Sequence, residues 1–267
     1  MIRVENLSKH FIRQASGRWQ RGKGEVVQAV KDISFCAEDG QITGLLGANG
    51  AGKTTTLRMI GALLKQDGGH ILVDGVAVQA GQQATQAQMG VLSDARGLYP
   101  RLSARENIVY YGVLHGMSRE QAHQRVDVLA EVLELKPILE RRCDGFSQGE
   151  KMKTALARAL VHDPKNIILD EPTNGLDVLA TRALREFLRW LRSPAGGSKC
   201  IIFSTHIMQE VERLCDHVVV VAHGKTVAQG SVAALLSQVG ATDFEDAFVK
   251  LAFDQSAEPS IQTRSAA

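Results

Sequence analysis

The segment Gly47-Ala48-Asn49-Gly50-Ala51-Gly52-Lys53-Thr54 sets three glycines ahead of a lysine and a hydroxyl. Glycines at 47, 50 and 52 let backbone N–H groups turn inward onto oxyanions, and a helix opening at Lys53 adds the favourable end of its dipole. Phosphate is the expected guest. Lys53 is placed to reach β and γ phosphates, and the Thr54 hydroxyl to take one position on Mg²⁺, which keeps most of its shell as water and phosphate oxygen. Chance supplies this spacing in about one chain of this length in a hundred, so a mere glycine turn is a poor account.

Three further groups add chemistry only in company. Asn166-Ile167-Ile168-Leu169-Asp170-Glu171 is an apolar strand running into two carboxylates. If it ends beside the glycine loop, Asp170 holds the metal's water shell and a turn at Pro172 re-aims Glu171 toward an attacking water. Alone, the string reads as a solvated strand end, because apolar runs ending in Asp-Glu are common. Ser147 and Gly149 in Phe146-Ser147-Gln148-Gly149-Glu150 open a helix, either as a second anion site or as an ordinary capping box. Ser204-Thr205-His206 closes the strand from Cys200 to Phe203, which puts an imidazole where such a sheet presents its ligand edge.

The elements that must position these groups are legible. Apolar runs at Ile42–Leu46, Ile167–Leu169, Ile201–Phe203 and Val218–Val221 alternate with helical patterns, which predicts an α/β fold. Asp74-Gly75 between Ile71–Val73 and Val76–Val78 predicts a tight hairpin. Capping-box spacing at Ser103/Glu106, Ser118/Gln121, Ser147/Glu150 and Thr242/Glu245 marks four helix starts. The helix after Ser147 carries Met152, Ala155, Leu156, Ala159 and Leu160 on one face, leaving Lys151 and Arg158 to a wet face. From about 94 to 143 strand signals give way to helices, one with Ile108, Tyr111 and Leu114 inside, the next with Ala122, Val126, Leu129 and Leu133. The tail 254–267 lacks apolar periodicity and reads as mobile.

Composition narrows the class. With 267 residues, 44% hydrophobic and 22% charged, the chain suits an independent globular core. Thirty-one basic against 29 acidic residues give a net charge of +2, too mild for a nucleic-acid scavenger. No apolar run approaches a membrane span, and the start lacks a signal-peptide core, so residence in the cytoplasm is expected. Four cysteines without a CxxC pair read as reduced, buried thiols.

Taken together and in this order, the segments resemble the ATP-binding cassette (ABC) family of ATPases, from Val4 to about Phe253. The resemblance implies a phosphate-loop NTPase core of RecA-like type over residues 1–253, with an antiparallel β subdomain and an inserted α-helical subdomain at about 94–143. It implies ATP and Mg²⁺ as cofactors, contacted through Asn49, Gly50, Ala51, Gly52, Lys53, Thr54 and Thr55, with Thr54, Asp170 and Asp94 near the metal. Asp94 stands where the family usually has a glutamine, and Gln148 and Glu150 replace its usual glycine and glutamine. Glu171 and His206 look like the catalytic pair. Ser147 and Gly149 look like the signature sequence, which binds ATP held by a second copy, and Asp177 like part of the loop crossing to it. Phe11, or Trp19 in the basic stretch Ile12–Glu25, is similar to the aromatic that stacks on adenine.

A single cassette without a span implies a homodimer on a separate membrane permease, peripheral on the cytoplasmic face. The segments Arg96–Gly116, Pro172–Asp177 and Phe244–Phe248 resemble the sodium-export and drug-export class of bacterial cassettes. Docking of the permease is expected near Leu98–Tyr111, with Tyr99 and Leu102 in contact. Two other readings stand beside this: a soluble cassette ATPase outside transport, and a small-molecule kinase or GTPase. The second leaves Ser147, Gly149, Asp177 and His206 without tasks.

Overall fold

The computed structural model describes residues 1–13, 25–93 and 97–253. Strands β1 (Ile2–Arg13), β2 (Glu25–Ala37) and β3 (Ile42–Leu46) lead into α1 (Lys53–Ile60), followed by β4 (Gly68–Val73), β5 (Val76–Ala77), α2 (Gln83–Gln86) and β6 (Met89–Leu92). Three helices come next, α3 (Ala104–Leu114), α4 (Arg119–Val132) and α5 (Gln148–Leu160). The chain continues through β7 (Asn166–Asp170), α6 (Val178–Arg192), β8 (Cys200–Thr205), α7 (Met208–Leu214), β9 (His217–Ala222), β10 (Lys225–Gly230), α8 (Val232–Val239) and α9 (Phe244–Phe253).

These strands form one sheet in the order β5-β4-β1-β2-β10-β9-β3-β8-β7-β6. Its inner block, β9, β3, β8, β7 and β6, is parallel, whereas β1, β2, β4 and β5 pair antiparallel. The middles of the parallel strands are mostly apolar because both faces are covered. Alternation divides them: Ile167, Leu169, Ile201 and Phe203 join Ile108, Val126, Leu156 and Leu188 of the helices. Ile168 and Ile202 face the other way, into Val4, Ile33, Leu57 and Ile60. Asp74 (φ 49°) and Gly75 (φ 81°) both adopt the positive φ of the expected hairpin turn.

Three helix starts are as expected, with reciprocal capping boxes at Ser103, Ser118 and Ser147. The fourth is displaced by one residue. Asp243, not Thr242, caps α9, its Oδ1 accepting from the N–H groups of Glu245 (2.8 Å) and Asp246 (3.2 Å). An ionised carboxylate there holds two orphan amides and complements the dipole, which a threonine hydroxyl does less well.

Two burial expectations are corrected. Leu114 is 61% exposed, since it lies two residues, about 200° of helix rotation, from the buried Gly112. Arg158 is only 7% exposed rather than wet. Its guanidinium donates to the Gly97 carbonyl and lies 4.5 Å from the centre of the Tyr111 ring, because the chain after β6 folds back over this face of α5. Helical periodicity cannot announce such a crossing. The stretch 14–24, with Trp19, and the tail 254–267 lie outside the described residues, as does Asp94.

At the far ends of α3 and α5, His115 and His162 stack with ring centroids 3.7 Å apart and planes 7° from parallel. Burial, and the neighbouring His115, lower the pKa of His162 to about 4 from 6.5. Both rings therefore stay neutral at neutral pH. Below about pH 6.5 the unfolded chain takes up a proton at His162 that the folded chain refuses. Stability present above 6.5 should thus fall as the pH drops toward 4, by less than about 1.4 kcal/mol per unit because the ring is partly exposed. Urea denaturation at pH 7 and pH 5 measures the loss, and His162→Asn should flatten it.

Candidate active site

The loop between β3 and α1 is shaped by backbone that only glycine accepts easily. Gly52 caps α1 at φ 107°, and a Cβ there would sit 2.7 Å from the Ala29 carbonyl oxygen. No side chain caps α1, so its first amides remain available to an anion. Lys53 is buried, and its Nζ donates to the carbonyls of Gly47 (2.7 Å) and Ala48 (3.1 Å). Burial pushes the Lys53 pKa down, against the pull of Glu171 and Asp170. A cleft of about 250 Å³ opens here, walled by Ala29, Asn49, Gly50, Gly52, Lys53, Thr54, Thr55 and Glu171.

The parallel register brings the acids to this cleft. Leu45 of β3 pairs with Ser204 of β8, and Ser204 with Asp170 of β7, so three strand ends stand level. The Ser204 hydroxyl donates to Asp170 Oδ1 at 2.6 Å, and Thr54 Oγ1 donates to the same oxygen at 3.2 Å. Ser204 Oγ also accepts from the N–H of Glu171 at 3.0 Å. Glu171 is then turned by its own backbone rather than at Pro172. Its φ is 47°, a left-handed conformation that costs a non-glycine residue and redirects the side chain from the line of β7. One carboxylate oxygen accepts from Asn174 Nδ2 and the other lies 3.2 Å from His206 Nδ1. With Glu171 ionised, the tautomer carrying hydrogen on Nδ1 is favoured.

Lys53, Thr54, Asp170, Glu171 and His206 are therefore one cluster, and Asn49, Gly50 and Thr55 line its cleft while Ala51 is buried beneath it. Other expected residues stand apart. Ser147 is exposed, with its hydroxyl bonded to Glu150 N (3.2 Å) of its own helix, and neither it nor Gly149 walls the cleft. A Cβ on Gly149 would lie 3.4 Å from the Gly175 carbonyl, so α5 begins against the loop that follows Glu171. Asp177 caps α6, accepting from Ala180 N at 2.8 Å. Phe11 is 42% exposed on β1 opposite Val27, two residues before Ala29 of the cleft wall. Sequence reasoning overlooked the roles of Ser204, Asn174 and Ala29. Ser204 had a signal in its place at a strand end beside His206; Ala29 had none.

Among the described residues no three His, Cys, Asp or Glu side chains converge as a metal site. The paired oxygens of Thr54 and Asp170 suit instead a hard cation that arrives with phosphate and keeps its waters.

The model of the family described as ABC transporter matches residues 30–174, from β2 through the Glu171 loop. The chain belongs to the ABC transporter family. It is similar to the ABC transporter ATP-binding protein NatA of Bacillus subtilis (strain 168), 40% identical over 250 residues, covering 93% of this chain and 97% of the relative. It is also similar to a Nod factor export ATP-binding protein I of Burkholderia lata, 40% identical over 212 residues, covering 79% and 69%. A solved ATP-binding subunit of an ABC transporter superposes with a TM-score of 0.80 at 27% identity, covering 94% of this cassette and 99% of that chain. This cassette is accordingly an ATP-binding and ATP-hydrolysing subunit.

Gly52→Ala tests the loop geometry. It imposes positive φ on a residue with a Cβ and drives that Cβ toward the Ala29 carbonyl. We expect a stability loss of about 1–3 kcal/mol by chemical denaturation, together with weakened ATP binding.

Proposed function

We propose that this chain is the engine of a bacterial exporter, a subunit that hydrolyses Mg–ATP between two copies of itself to drive a separate membrane permease. The observation that carries the hydrolytic part is the Glu171–His206 contact facing the Lys53 cleft. Lys53 exchanges two carbonyl partners for phosphate oxygens, whose charge suits a desolvated ammonium better. The first amides of α1 and the loop around Asn49 and Gly50 hold the remaining oxygens. Bound Mg²⁺ would draw charge from the phosphates, held by Thr54 and, through water, by Asp170. Glu171 accepts a proton from the attacking water, and His206 holds Glu171 on one side and meets the γ-phosphate on the other. Phe11 is the proposed adenine platform.

The dimer rests on geometry of supply. The cleft offers donors to one side of a triphosphate. Ser147, exposed at an α5 N-terminus, supports a role toward the nucleotide of a second copy, with Gly149 leaving room for close approach and Asp177 on the crossing loop. Hydrolysis and phosphate release then remove the charge that both faces share, so nucleotide state sets whether the copies stay together.

Among the described residues no helix is long and apolar enough to cross a membrane; the similarity to ATP-binding proteins matched over most of their own length supports a transport path in another polypeptide. The helical segment after β6 is the proposed dock. Tyr99 (48% exposed) packs edge-on against Tyr110 (43%), and Leu114 (61%) extends the same exposed apolar surface. Leu102 is half-buried and a poorer contact. The resemblance to sodium and drug exporters, and an export protein among the relatives, support outward transport.

Lys53→Ala should weaken ATP binding by on the order of 10- to 100-fold, the effect of losing a charge-assisted hydrogen bond. Glu171→Gln should bind ATP normally yet hydrolyse it on the order of 10²–10⁴-fold more slowly. Equilibrium nucleotide binding and phosphate release measure both, and unchanged turnover in Glu171→Gln would refute its role. In vesicles carrying the permease that co-purifies with this chain, Tyr99→Glu with Leu114→Glu should abolish transport but leave basal hydrolysis within about twofold, since neither side chain touches the cleft.

A further inference from the structure

Glu210 is a buried carboxylate that phosphate binding does not use. It stands on α7, one helical turn beyond His206, and is 8% exposed. Its Oε2 accepts from two hydroxyls, Thr173 Oγ1 at 2.9 Å and Thr205 Oγ1 at 3.2 Å. Thr173 lies in the loop carrying Glu171 and Asn174, whereas Thr205 immediately precedes His206. Thr205 Oγ1 in turn accepts from the N–H of Ile207 at 3.0 Å, which fixes the turn on which His206 sits. The path from Glu171 through Thr173, Glu210, Thr205 and His206 returns to Glu171 across the 3.2 Å contact, so the two functional groups belong to a closed ring.

That ring answers a geometric problem. Glu171 holds a left-handed φ, which persists only where the surroundings over-determine it. Ser204 secures its N–H, on the upstream side. The downstream side is secured two residues on, at Thr173, and the anchor there is shared with the His206 turn. Burying an acid is costly, and one that spends its oxygen on two segments trades that cost for a fixed separation between them.

We propose that Glu210 is a positioning residue for ATP hydrolysis, which sets the Glu171 loop and the His206 turn at one distance so that both groups meet the attacking water and the γ-phosphate together. The inference rests on the hydrolytic reading of Glu171 and His206 given above. It acts on the chemical step and leaves the phosphate loop untouched.

The test uses the full chain, Mg–ATP and steady-state phosphate release, with equilibrium ATP binding measured alongside. Glu210→Ala should lower kcat by on the order of 10- to 100-fold, the scale of a misplacement near 1 Å, while KM and ATP affinity stay within about twofold. Glu210→Gln keeps a carbonyl oxygen for both hydroxyls and should restore kcat to within about threefold of the parent. Thr173→Val, which deletes one hydroxyl without changing shape, should lower kcat in the same direction, and adding it to Glu210→Ala should cost little more because both act through one bond. Parental kcat in Glu210→Ala, a loss confined to KM, or a glutamine variant as slow as alanine would each overturn the proposal. If the alanine variant does not fold, Thr173→Val decides alone, and parental kcat there overturns it. Glu171→Gln serves as the separate control: parental turnover in that variant removes the hydrolytic reading itself, whatever Glu210 does.

Discussion

Hydrogen-bonded register between β3, β8 and β7 is the constraint from which the site follows. Parallel ladders bring the carboxyl ends of their strands to one edge, and here Leu45, Ser204 and Asp170 stand at one level. The phosphate loop, the Glu171 turn and the His206 turn must therefore leave the sheet side by side, although some 160 residues separate the first from the last. A slip of one residue in either β7 or β8 would exchange the side chains packed under the helices, Ile167 and Leu169 or Ile201 and Phe203, with the differently shaped set of the opposite face, Ile168 or Ile202, and would carry Asp170 and Ser204 out of line. The core thus fixes the chemistry by fixing the ladder.

Upon that edge the groups are held in states of unfinished satisfaction. Lys53 is desolvated and bonded to two carbonyls rather than to a carboxylate. The α1 N-terminus lacks a side-chain cap. Glu171 sits in a strained backbone conformation, steadied by Ser204, Asn174 and His206. In the function proposed above, each departure from ordinary folding preference prepares the cleft for anionic phosphate, since donors already oriented need no reorganisation when charge arrives.

The helices between β6 and β7 serve a different end. Their capping boxes and buried stripes make them stable without reference to the cleft, while α5 presents Ser147 outward and rests its first turn on the loop after Glu171. Arg158 ties the last turn of α5 to Gly97 and Tyr111, so that end of the helix and the chain leaving β6 are packed together. In the function proposed above, this packing is the route by which a change at the nucleotide edge would reach the exposed aromatic surface of Tyr99 and Tyr110.

By itself the sequence determined the local features. The glycine spacing at 47, 50 and 52, the Asp74-Gly75 turn, three of four helix caps and the buried strands were legible, because each depends on backbone conformations or a periodicity set within a few residues. The types of the chemical groups were legible for the same reason. Only the tertiary structure decided which of them meet. It joined Lys53 to Asp170, Glu171 and His206, kept Ser147 and Phe11 out of that cluster, buried Arg158 and exposed Leu114. Those outcomes depend on which segments cross over which, and contacts between residues far apart in the chain leave no mark in a pattern of nearest neighbours.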